Sequence, residues 1–112
     1  MASSPENFIY PRAKFPLMRV KEFQGLIRDL YYRRDSERGV EKNILWLVEE
    51  IGELTRAVRK GDMDALGEEI ADIVAWLISL ANIYELDLEE LLSRKYPGHC
   101  IYCEGNPCTC GD

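Results

Sequence analysis

The sequence predicts an all-α fold: an antiparallel helical bundle with a central hairpin, an N-terminal helix and a short C-terminal helix. Three observations predict it. Apolar residues recur three and four apart over three long stretches. The breaks between those stretches are short, which favours antiparallel neighbours. No stretch alternates apolar and polar residues over a useful strand length.

Residues 1–17 carry three prolines and little periodicity, so they read as an extended arm. A first helix is expected from about Met18 to Asp35, with Val20, Phe23, Ile27, Leu30 and Tyr31 at helical spacing. Ser36 to Gly39 reads as a break. A second helix runs from about Val40 to Lys60 on the stripe Ile44, Leu47, Val48, Ile51, Leu54 and Val58. Gly61-Asp62 is a stop-and-restart signal, a glycine past one helix end and an N-cap for the next. The third helix spans about Met63 to Tyr84, with Leu66, Ile70, Ile73, Val74, Leu77 and Ala81 on one face. Asp87 caps a short fourth helix, with Glu90 placed for a capping box. Pro97-Gly98 ends it. The expected organisation is an arm (1–17), a helical domain (18–96) and a cysteine-rich tail (97–112).

Length and charge limit the function. A chain of 112 residues holds one compact domain and excludes an enzyme with two separate cores. Its formal charge of −6 disfavours a nucleic-acid binder, whose affinity rests on basic surface. An acidic chain still binds phosphates when metal ions neutralise both partners. No apolar run approaches the roughly 18 residues of a membrane span, and the N-terminus lacks the apolar core of a signal peptide. A cytoplasmic protein with no membrane partner is expected. Leu45, Ile78, Leu80 and Ile83 add apolar flanks beyond what one small bundle needs, which predicts a homodimer or homotetramer.

The informative stretches are WLVEEIGEL and EEIADIVAW. Stepping 100° per residue from Ile51 places Glu49 on the polar face with Lys42, Arg56 and Lys60. Glu50 and Glu53 fall on a flank with Trp46 and Ala57. On the third helix, Glu69 and Asp72 fall on a flank with Ala65, Trp76 and Ile83. The two patterns are mirror images about Gly61, pairing 46 with 76, 50 with 72 and 53 with 69. A hairpin turning at Gly61 would crowd four carboxylates into one patch, the nearest pair about 12 Å from the turn. Two like charges about 4 Å apart repel by roughly 4 kcal/mol at an effective dielectric near 20. Either some of the acids are protonated or a cation sits among them. Hard oxygen donors with no nearby histidine point to Mg²⁺ or Mn²⁺. The plain alternative is a solvated hairpin with ordinary surface glutamates. Trp46 and Trp76 are core residues in one reading and stack on a nucleobase in the other.

At these residues the chain resembles the MazG-like nucleotide pyrophosphohydrolases. Their pattern is Glu-x-x-Glu, a spacer, then Glu-x-x-Asp, and Glu50-x-x-Glu53 and Glu69-x-x-Asp72 meet it with 15 residues between. The text LVEEIGELTRAVRKGD and EEIADIVAWLISLAN is similar to the family, and the likeness covers about residues 18–96. The resemblance implies an all-α fold whose protomers associate to complete the site. It implies hydrolysis of a nucleoside triphosphate, or its deoxy form, to the monophosphate and pyrophosphate. It also implies Mg²⁺ on Glu50, Glu53, Glu69 and Asp72, with Glu50 or Glu53 orienting the attacking water. Arg38, Lys42, Arg56 and Lys95 are candidates to bind phosphate, and each is otherwise a solvated charge or an i,i+4 partner. Asn82 matches a residue near the substrate in relatives, and equally suits a polar residue bonded to backbone.

The tail reads His99-Cys100-x2-Cys103-x4-Cys108-x-Cys110 and is not part of the general family pattern. Four cysteines so close together read as structural zinc ligands, with His99 as an alternate. Disulfides and free thiols are the other options. Two other functions compete with the pyrophosphohydrolase. One is hydrolysis of phosphoribosyl-ATP on a related scaffold. The other is a non-catalytic oligomeric binding module with a zinc tail.

Overall fold

The computed structural model describes residues 17–111. Apart from Leu17, the expected arm lies outside the described residues. Four helices follow in order: α1 (Val20–Arg38), α2 (Val40–Lys60), α3 (Met63–Ile83) and α4 (Leu88–Lys95). No strand occurs among the described residues, so the all-α expectation holds.

The expected break at Ser36–Gly39 contracts to Gly39 alone. Local bonds carry α1 one turn further. Arg33 pairs with Glu37 at 3.2 Å, and the Asp35 carbonyl accepts the Gly39 N–H at 3.1 Å. Asn43 Nδ2 then donates to the carbonyls of Asp35 and Gly39, at 3.0 and 2.7 Å, tying the end of α1 to the start of α2.

Gly61 sits in the left-handed region, at φ 67°, where a side chain would be strained. Its N–H reaches the Val58 carbonyl at 3.2 Å, and that of Asp62 reaches Ala57 at 3.1 Å. Asp62 Oδ1 then accepts the Ala65 N–H at 3.1 Å, starting α3. The turn therefore folds as its residues predict. At α4 only half of the expected capping box forms. Asp87 Oδ1 accepts the Glu90 N–H at 3.2 Å, while the Glu90 carboxylate binds Arg94 at 2.7 Å instead.

Helix α3 is the centre of the fold. It packs most extensively on α2 and next on α1, and α4 rests on α1. The buried apolar residues among the described residues are Ile27, Ala57, Ile78 and Ala81. This corrects two expectations. Ile78, expected as a surplus flank, is 1% exposed and anchors the core. Ile51, expected at the centre of the inward face, is 46% exposed, and Ile44, Val48, Val58, Ile70, Val74 and Leu77 are exposed with it. The side of α2 turned into its own chain carries Asn43, Glu50 and Ala57, with Leu47 and Leu54 of the expected stripe. Small residues such as Ala57, Ser79 and Ala81 suit the close approach of neighbouring helices. The carboxylate flank thus lies at the junction of α2 and α3, and much of the apolar stripe turns outward, while Leu47, Leu54, Leu66, Ile73 and Ala81 stay at least half-buried. No helix among the described residues is long and apolar enough to cross a membrane.

Candidate active site

Glu50 comes from the middle of α2, and Glu69 and Asp72 from adjacent turns of α3. Packing of the two helices brings one oxygen of each within 4.8 Å of the others. Glu50 and Glu69 are half-buried and Asp72 is exposed, so the group opens to solvent on one side. Glu69 Oε2 is buried without a hydrogen-bond partner. Such an atom is costly unless something else occupies its lone pairs.

The electrostatics agree with the geometry. A side-chain hydrogen bond with Glu69, partial burial and the charges of Glu69, Asp72 and Glu53 together raise the Glu50 carboxyl from 4.5 to about 7. Near neutral pH this cluster holds a proton or needs a positive charge. Carboxylate oxygens alone suit a hard divalent cation, so these residues fit Mg²⁺ or Mn²⁺.

Glu53, the fourth expected acid, does not join this group. Arg56, one turn on, donates to both of its oxygens, at 3.1 and 2.9 Å. The expected pairing of heights is met by Trp46 and Trp76, whose ring centroids lie 5.4 Å apart, edge to face. Among the acids, Glu50 meets both Glu69 and Asp72.

Arg38 lies over both indoles, with its guanidinium carbon 4.3 Å from the Trp46 ring centre and 5.1 Å from that of Trp76. Its Nη1 donates to Asp35 Oδ1 at 3.0 Å and to Asn43 Oδ1 at 3.1 Å. Asp35 is 3% exposed, and its Oδ2 has no partner. Arg38, Asp35, Trp46, Trp76 and Asp72 of the acid group all line one cleft of about 430 Å³, walled on its apolar side by Phe23, Leu26 and Leu30. The cleft joins an aromatic floor and a fixed cation to the edge of the acid cluster.

The remaining expected residues lie elsewhere. Asn82 is buried and bonded to Gln24, accepting from its Nε2 at 3.0 Å and donating to its carbonyl at 3.3 Å. Gln24 continues the link, donating to the Leu86 carbonyl at 2.7 Å and accepting the Leu88 N–H at 3.0 Å. Asn82 thus joins α3 to α1 and is not among the residues lining the cleft. Lys95 faces a separate groove with Leu91, Tyr96 and Ile101. Lys42 is exposed on α2. The four cysteine sulfurs of the tail gather into a second group.

A family model, the MazG nucleotide pyrophosphohydrolase domain, matches residues 38–99, more than half of the chain. The chain belongs to the MazG family. The MazG match runs from Arg38 through Trp46, the four acids, Trp76 and Asn82 to Lys95, and stops one residue before the first cysteine. No curated protein matches the chain.

Sequence reasoning missed Asp35, Asn43 and Gln24. A signal existed for the first: Asp35 lies one turn beyond Tyr31, in line with the apolar stripe of α1, where a carboxylate is out of place. Asn43 is a poor helix former inside a helix, which often marks a side chain bonded to backbone.

Proposed function

We propose that this chain is a metal-dependent hydrolase that cleaves a nucleoside triphosphate, or its deoxy form, to the monophosphate and pyrophosphate. One observation carries the reading: Glu50, Glu69 and Asp72 converge from two helices with oxygens within 4.8 Å of one another, in a cluster where Glu69 Oε2 is buried without a partner. These three residues would hold Mg²⁺ or Mn²⁺. When bound, the cation would neutralise phosphate charge and lower the pKa of an attacking water.

The chain's own groups supply the rest. The cleft beside Asp72 is sized for part of a nucleotide, and its indoles offer a stacking surface. Asp35 and Asn43 hold Arg38 at the cleft wall, where it meets the base or the phosphates as a pre-positioned cation. Glu53 lies next to the three-acid group without belonging to it. It and Glu50 are the groups to orient water toward the α-phosphorus, so that a new P–O bond forms there and pyrophosphate leaves. Neither Lys95 nor Asn82 lines the cleft within one chain: Lys95 would reach a substrate only from a second copy, and the amide of buried Asn82 is taken up by Gln24.

The outward apolar stripes of α2 and α3 support such a copy. Ile44, Val48, Ile51, Ile70, Val74 and Leu77 are exposed together, and monomers rarely leave so much aliphatic surface uncovered. A homodimer or homotetramer with closed symmetry covers it. A cytoplasmic setting, rich in nucleotides and Mg²⁺, fits this chemistry. The second cofactor of this reading, zinc, belongs to the cysteine tail and takes no part in the hydrolysis.

The test is pyrophosphate release from a panel of ribo- and deoxyribonucleoside triphosphates and phosphoribosyl-ATP, with and without Mg²⁺. Equal yields of monophosphate and pyrophosphate from a triphosphate, abolished by chelation, are expected. Turnover of phosphoribosyl-ATP alone would move the substrate class to the related activity. No turnover of any nucleotide by metal-loaded protein would contradict the proposal.

A further inference from the structure

From Cys100 onward the chain lies beyond the family match, and no residue after α4 lines the acid-side cleft. It is mostly exposed: Tyr102 and every described residue from Asn106 onward are open to solvent. It has too few apolar side chains to build a core, yet its backbone is closely tied. The Cys100 N–H donates to the Gly105 carbonyl at 2.9 Å, and the Glu104 N–H to the Cys100 carbonyl at 2.8 Å. Asn106 Nδ2 reaches back to the Gly98 carbonyl at 3.0 Å. A Cβ on Gly105 would lie 2.9 Å from the Pro107 carbonyl oxygen and 3.5 Å from Cys103 Sγ, so the turn closes only around a glycine. A coreless segment folded this tightly needs a cross-link.

We infer that Cys100, Cys103, Cys108 and Cys110 form one closed tetrahedral zinc site that folds residues 98–110 into a knuckle at the end of α4. The distances carry the inference. Four sulfurs each about 2.3 Å from a central zinc stand about 3.8 Å apart along the edges of their tetrahedron. Cys100 and Cys110 Sγ are 3.8 Å apart, and Cys103 and Cys108 Sγ are 3.9 Å apart. These pairs share no atom, so they form two opposite edges, and all four sulfurs lie within 4.8 Å of one another. A disulfide needs about 2.05 Å. An iron–sulfur cluster spreads its cysteines over several irons and would hold them further apart.

The backbone is arranged for thiolates. Amide N–H groups of Tyr102, Thr109 and Cys110 point at the sulfurs of Cys100, Cys103 and Cys108, at 3.4, 3.3 and 3.3 Å. Donors of this kind stabilise sulfur that carries negative charge. Four thiolates complete the coordination, so no position is open to water or substrate, and the zinc is structural. Its binding energy takes the place of a core.

The test uses the full-length chain purified under reducing conditions, with zinc and iron measured by elemental analysis. About one zinc per chain is expected. Reduced, metal-free chain titrated with Co²⁺ should show tetrahedral d–d bands and strong thiolate-to-cobalt charge transfer. Cys103→Ser with Cys108→Ser should abolish both while leaving the helical circular dichroism unchanged. Gly105→Ala should weaken Co²⁺ binding with all four thiols intact. Iron in place of zinc, disulfides in the reduced preparation, or no tetrahedral Co²⁺ spectrum from folded chain would each overturn the inference.

Discussion

The acid group and the thiol group are both sets of side chains that could hold a metal ion, but they are built in opposite ways. The acids sit on two long helices, and Glu50 meets Glu69 and Asp72 only because α2 folds back along α3 through Gly61. The thiols sit in a short run of turns, and their convergence is local, set by backbone bonds such as Glu104 N–H to Cys100. The first arrangement leaves an open side and an oxygen with no partner, which is what the proposed catalytic role would need. The second closes on itself. Catalysis needs unfinished coordination on a rigid frame, whereas stability needs finished coordination wherever the frame is weak.

The contrast breaks if damage to one group reaches the other. Glu69→Gln should lower nucleotide turnover roughly 1,000-fold, since a catalytic cation contributes several kcal/mol. Zinc content of the same variant should stay unchanged. Activity and elemental analysis on one preparation check both, and loss of zinc would show the two groups to be one unit.

A lesion in the helical body should cost global stability. Asp35→Ala removes an acceptor from Arg38, which is largely buried against the two indoles. A loss of about 2 to 3 kcal/mol is expected in urea unfolding followed by circular dichroism. Loss of the thiols should leave the main helical transition in place, since α1–α3 form their contacts without them.

Acidity separates the regions further. Glu50 is raised from 4.5 to about 7 in the folded chain. A carboxyl raised on folding contributes fully below its unfolded value, and that contribution is lost as pH rises through the folded one. Metal-free protein should therefore lose stability between about pH 4.5 and 7. Mg²⁺ should restore it at and above neutrality, where the cation replaces the proton. Melting temperatures across this range, with and without Mg²⁺, read the effect.

The smallest effect concerns Glu53. Because Arg56 holds it outside the three-acid group, Glu53→Gln should weaken Mn²⁺ binding less than Glu69→Gln does, while still lowering kcat. Mn²⁺ titration beside steady-state kinetics distinguishes a water-orienting group from a ligand.

Much of this was legible in the sequence. The hairpin turn follows from Gly61-Asp62, the bounds of α2 and α3 from the apolar spacing, and the meeting of Trp46 with Trp76 from mirror positions about the turn. The MazG pattern could be read from the same acids. The direction in which the helices face could not. Periodicity says that a stripe is apolar, not whether its own chain covers it, so it predicts Ile51 inside and Ile78 outside, the reverse of what is found. Glu53 shows a second limit: a partner one turn away competes with a cluster formed across helices, and spacing alone does not rank the two. The cysteine spacing, by contrast, could be read directly, because its geometry is local.

The central claim is that α2 and α3 together make one divalent-cation site. Mn²⁺ binding to the full-length chain, followed by electron paramagnetic resonance, tests it directly when repeated with Asp72→Asn and Glu50→Gln. Saturable binding that either substitution weakens at least about tenfold is the predicted result. Binding that is absent, or indifferent to both substitutions, would contradict the claim.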